Sequence, residues 1–147
     1  MLKLIKIVLI TLLLGCFILI RAFESQWFYD PLLQYFKGDH LLKDLPKLDL
    51  SSLCISYSLR YGFNMLISFL ILKVVFMKIP FFKSIFTFYI IAFLLLSVLL
   101  FSTLLFEIEV SNLLFFYLRR FLIQPIFILI LFPFLFLLQK GYRFDDV

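Results

Sequence analysis

The stretch SIFTFYIIAFLLLSVLLFSTLLF, Ser84 to Phe106, holds no charged residue and is bounded by Lys83 and Glu107. A helix crosses a bilayer core in about 20 consecutive apolar residues. The run is continuous rather than alternating, so it reads as a helix and not as a barrel strand. Working outward, three further runs fit the same rule: about 4–22, 55–76 and 121–138. The first has a shorter apolar core, Ile7 to Ile20, which Lys3, Lys6 and Arg21 extend by snorkelling. Lys3 and Lys6 mimic the start of a signal peptide, but Arg21-Ala22-Phe23-Glu24 offers no small-x-small cleavage pattern, so retention as an anchor is expected. The expected fold is therefore all-α: a polytopic four-transmembrane-helix bundle forming one membrane domain over 1–147.

Composition agrees. The chain is 65% apolar, against roughly 45–50% for soluble domains. A soluble fold of this length needs more polar surface than that. The net charge of +5 does not point to nucleic acid, because the basic residues sit at the ends of apolar runs rather than in one stripe. Their distribution orients the chain instead. Lys3, Lys6, Lys73, Lys78, Lys83, Lys140 and Arg143 fall on one side, on short segments with only Asp145 and Asp146 as acids. The positive-inside rule puts that side, and both termini, in the cytoplasm.

The segment 23–54 then becomes an outer loop. Trp27, Phe28, Tyr29, Tyr35 and Phe36 crowd its first part, and such rings favour the headgroup region. Asp30-Pro31 reads as a helix opening, with Asp30 as cap and Pro31 at the first position. A short interfacial helix is expected over 30–37, ended by Gly38-Asp39, that plugs the bundle, roofs a pocket or docks a partner. In the fourth span, Pro125 falls in the first turns, where a missing N–H costs little. Pro133 lies mid-helix and is expected to kink it.

The chemistry-bearing residues are few. Arg60 and Asn64 are four apart and share a helix face, as do Arg120 and Gln124. Topology places both pairs at the outer boundary with Arg21, Glu24, Arg119, Glu107 and Glu109. Two readings stand side by side. The arginines pair with acids and lipid phosphate and lock the bundle, or they line a groove for a carboxylate, phosphate or acidic peptide. Other chemistry is weakly supported. Asp39, His40, Asp44 and Asp49 lack metal-ligand spacing, with one histidine in the chain. Cys54, His40 and Arg60 or Arg120 assemble into a catalytic trio only on paper, because nothing fixes a base near the thiol. Cys16 and Cys54 form no CxxC pair, and Cys16 reads as a packing residue. No cofactor is expected.

Several stretches carry a resemblance. These are Arg21-Ala22-Phe23-Glu24 through Phe28-Tyr29-Asp30-Pro31, Tyr35-Phe36-Lys37, Leu59-Arg60-Tyr61 with Asn64, and Phe116-Tyr117-Leu118-Arg119-Arg120-Phe121-Leu122-Ile123-Gln124-Pro125. With them the chain resembles the exosortase-F-associated membrane proteins of Bacteroidetes-type bacteria. The resemblance implies an inner-membrane protein that accompanies an exosortase, a membrane-embedded cysteine transpeptidase acting on proteins with a C-terminal sorting signal. The Glu-Cys-Ser-Gly-like setting of the exosortase cysteine is absent here, which implies a non-catalytic accessory. Its expected partners are that enzyme and the lipid bilayer. Arg60, Asn64, Arg119, Arg120 and Gln124 are the expected polar contacts, and Asp30 the loop-positioning residue. The alternative is a small membrane enzyme, or an anion- or lipid-binding protein using the arginine cluster.

Overall fold

The computed structural model describes residues 2–35, 48–76, 82–106 and 112–144. They form seven helices: α1 (Leu2–Ala22), α2 (Glu24–Trp27), α3 (Leu32–Tyr35), α4 (Leu50–Val75), α5 (Phe82–Leu105), α6 (Asn112–Ile123) and α7 (Ile126–Phe144). Helices α1, α4 and α5 are each long and apolar enough to cross a membrane, and α6 with α7 makes a bent pair that passes the same test together and is a fourth crossing if the pair is one span. The protein is thus an all-α, multi-pass membrane protein, consistent with a four-span bundle.

Helix α4 is the hub. It packs against α1, α5, α6 and α7, and it is the most buried of the three continuous spans and the least apolar. One pattern explains both properties. The buried positions Leu53, Ser56, Tyr57, Arg60, Tyr61, Asn64, Ile67, Ser68, Ile71 and Leu72 recur every three or four residues, so they line one face of a 3.6-residue helix. Most of its polar members fall on the stretch 56–68. The opposite face carries Ile55, Leu59, Phe63, Leu66 and Leu70, all exposed. A soluble helix would be arranged the other way round. In lipid the apolar face needs no cover, while polar side chains need partners, so the polar stripe turns inward.

Helix α4 also starts earlier than the apolar run suggests. Asp49 caps it, its Oδ1 accepting from the Ser51 amide at 3.2 Å, and the first turn is Leu50–Leu53 rather than a start near 55. The helix expected over 30–37 starts later, at Leu32, and covers Leu32–Tyr35 among the described residues; Phe36, Lys37, Gly38 and Asp39 lie outside them, with His40, Asp44, Glu107 and Glu109. Nor does α3 simply float over the bundle. Leu32 is fully buried in the main core with Leu53, Tyr57, Phe115 and Leu118, so the segment is a plug.

The fourth span differs most. It begins at Asn112 rather than Phe121, and it breaks at Gln124-Pro125 with a bend of 66°. Because the helix starts well before Phe121, at Asn112, Pro125 sits in its interior, where the absent N–H and the ring both interrupt the ladder. The Gln124 amide still donates to the Arg120 carbonyl at 3.0 Å, and the Ile126 amide turns back to Gln124 at 2.8 Å. Helix α7 runs on through Pro133, so the expected kink lies at Pro125. An aromatic cluster seats the restarted helix: Phe127 of α7 meets Tyr61, Phe88 and Tyr89 edge-on, with ring centroids 5.5–6.3 Å apart. Edge-to-face geometry suits the ring quadrupoles.

Candidate functional site

The polar groups converge at one end of the bundle, beneath the plug that joins α1 to α4. Asp30 is the centre. One oxygen, Oδ2, accepts from Arg60 Nη1 at 2.6 Å and from Arg119 Nη2 at 2.6 Å. The other, Oδ1, accepts from the Tyr57 hydroxyl at 3.1 Å and from Arg119 Nε at 3.4 Å. Arg119 Nε also donates to the Tyr57 oxygen at 3.2 Å. Glu24, the first residue of α2, takes the free edge of Arg60 at 2.5 Å and Arg21 at 2.7 Å, both on Oε2. The result is a chain of alternating charges, Arg21–Glu24–Arg60–Asp30–Arg119, that ties α1, α2, the turn before α3, α4 and α6.

Burial gives this chain its weight. Arg60 is only 1% exposed and Arg119 only 4%. Arg60 also lies 5.3 Å above the Phe28 ring, which closes the plug over it. Coulomb attraction grows as water is excluded, but so does the cost of stripping the ions of their hydration. Such a network holds only when each buried charge finds its partners, and Asp30 receives donors at both oxygens. Around it, the Tyr29 amide donates to Ser56 Oγ at 3.0 Å and the Asp49 amide to the Tyr29 hydroxyl at 3.3 Å. The plug is therefore pinned along α4. Beyond the membrane span, Asp49 is held below its ordinary carboxylate pKa, first by the hydroxyls of Ser51 and Ser52.

Asn64 does different work. Buried one turn below Arg60, it donates Nδ2 to the Ile123 carbonyl at 3.0 Å. That carbonyl is one of those freed by the break at Gln124-Pro125, so the amide caps the broken helix from a neighbour. Tyr61 similarly donates its hydroxyl to the Tyr89 carbonyl of α5 at 2.7 Å.

The expected site residues thus separate into three groups. Arg60, Arg119 and Asp30 share one ion network, in which Asp30 is the central carboxylate rather than the cap of a loop helix. Asn64 serves the helix break. Arg120 and Gln124 do pair, through Nε and Oε1 at 2.8 Å, but Arg120 is exposed and turns away from the network. Sequence reasoning passed over Tyr57 and Ser56, and quoted Tyr61 only within the resemblance, with no role at the site. Their spacing of three to four residues from Arg60 and Asn64 is the signal that picks them out. Cys54 is exposed and Cys16 half-buried, both as free thiols. Among the described residues no three His, Cys, Asp or Glu side chains come together. No known family, curated protein or solved structure matches the chain.

Proposed function

We propose that this protein is a non-catalytic accessory subunit of an exosortase-type protein-sorting system. It resides in a bacterial inner membrane with both termini in the cytoplasm, and it stabilises the transpeptidase or presents its substrate. The observation that carries the non-catalytic part is the internal neutralisation of Arg60 and Arg119 by Glu24 and Asp30. A guanidinium already held by two carboxylates, or by a carboxylate and a phenol, would lose those bonds to receive a substrate anion. The network favours a rigid scaffold over an open anion-handling groove. The wide apolar faces of α1 and α5 offer a lipid-phase surface against which other spans can pack. The sorting system and the orientation rest on the resemblance of the motifs and on the distribution of Lys and Arg.

The deciding experiment is a mild-detergent purification of the tagged protein from its native membrane, with mass spectrometry of co-purifying proteins. A stoichiometric membrane transpeptidase is expected, together with loss of sorted product when the gene is deleted. A monodisperse protein without partner, and normal sorting in the deletion strain, would overturn the reading. The rival enzyme reading is separated by Cys54→Ser combined with His40→Ala. Full function in that double variant is expected, and loss of function at normal abundance favours catalysis.

A further inference from the structure

A long cleft runs between α1 and α7 with α4 as its floor, enclosing a volume of about 840 Å³. Its walls are Ile10 and Leu14 of α1, Ile71 and Val75 of α4, and Leu129 and Phe132 of α7. All of these are apolar. At one end the lining changes character to Arg21 and Gln124. Arg21 is the exposed member of the ion network, with 55% of its side chain accessible, and Gln124 carries the exposed Arg120 on its Oε1. Accessibility matters here. Among the described residues the network joins three guanidiniums and two carboxylates. Arg60 and Arg119 are enclosed, so the guanidinium within reach of a ligand is Arg21, at the mouth of an apolar cleft.

The length of the cleft selects its occupant. From Ile10 to Arg21 it spans about 16 Å at 1.5 Å per helical residue. Half of a hydrocarbon core of about 30 Å is one leaflet. A partner helix crossing the membrane would need a groove of full depth, whereas one acyl chain needs one leaflet. We infer that this cleft is a binding site for an anionic phospholipid of the leaflet on the Arg21 side, with an acyl chain between α1 and α7 and the phosphate at Arg21 and Gln124. The inference stands independently of any partner enzyme, because it uses only the cleft and the accessible Arg21.

The test is native mass spectrometry of delipidated protein in mild detergent, titrated in parallel with phosphatidylglycerol and phosphatidylcholine. The intact protein retains phosphatidylglycerol about fivefold better, the selectivity of a single well-placed cation. Arg21→Gln brings the two lipids to parity. Leu129→Trp, which fills the cleft beside α7, lowers retention of both while the protein stays folded by circular dichroism. Glycerol phosphate alone does not displace the lipid. Equal retention of the two lipids by the intact protein would overturn the inference. So would an unchanged preference in Arg21→Gln, displacement by glycerol phosphate, or a second protein chain that blocks lipid from the cleft.

Discussion

At the scale of single residues, Asp30 decides whether the network is a bond or a liability. It faces two buried guanidiniums and a phenol at once. Asp30→Asn keeps the shape and removes the charge that meets Arg119 and one edge of Arg60, whose other edge stays on Glu24. It is expected to destabilise the protein by about 3–5 kcal/mol, the usual consequence of stranding a buried charge, read as a fall in detergent melting temperature. Arg120→Ala, at an exposed position, stays within about 0.5 kcal/mol. A second residue gives a pH signature. Since Asp49 has a folded-state pKa below its ordinary 3.8, its cap is fully present above that value and is lost as pH falls through the lower, folded one. Amide protection at Ser51 to Leu53, corrected for intrinsic exchange, therefore drops in strong acid. Asp49→Asn, an equally good cap that does not titrate, removes that drop. The role of Asp30 was hidden in the sequence because its partners lie 30 and 89 positions away. Local spacing reveals Arg60 with Asn64 on one face; it says nothing about which carboxylate meets them.

At the scale of elements, the informative object is the broken α6–α7 span. The pair Arg119-Arg120 reads as the edge of a membrane run, since charged residues are costly in lipid. That reading holds only where no counter-charge is supplied. Asp30 supplies one, so the helix starts at Asn112, Arg119 enters the interior and Pro125 becomes an internal breaker. The apolar runs themselves were legible, because hydrocarbon thickness fixes span length whatever the packing. The break was not legible, because it depends on a neighbour: Asn64 takes the freed Ile123 carbonyl. Asn64→Leu should then cost about 1–3 kcal/mol, the penalty for an orphaned buried acceptor. Adding Pro125→Ala, which permits a continuous ladder, should recover part of that loss. Strict additivity of the two changes in a thermal-unfolding cycle would disconnect Asn64 from the break.

At the scale of the whole molecule, α4 is longer than the membrane it crosses. Its 26 residues extend roughly 39 Å at 1.5 Å each, against a hydrocarbon core of about 30 Å. The first turns, which carry the Asp49 cap and the exposed Cys54, are therefore expected to reach water on the side of the plug. With Cys16→Ser as background, a membrane-impermeant maleimide should label Cys54 on intact cells, and labelling only in inverted vesicles would reverse the proposed orientation. The network also has a history written into its order along the chain. Arg21, Glu24, Asp30 and Arg60 are made first and balance one another, two of each sign. Arg119 follows Asp30 by 89 residues, about 4–18 s later at ordinary rates of synthesis. Four members of the network thus balance one another while the chain is still attached to the ribosome. The fifth, Arg119, arrives only in the last fifth of synthesis, so the plug is locked to α6 only in a nearly finished molecule.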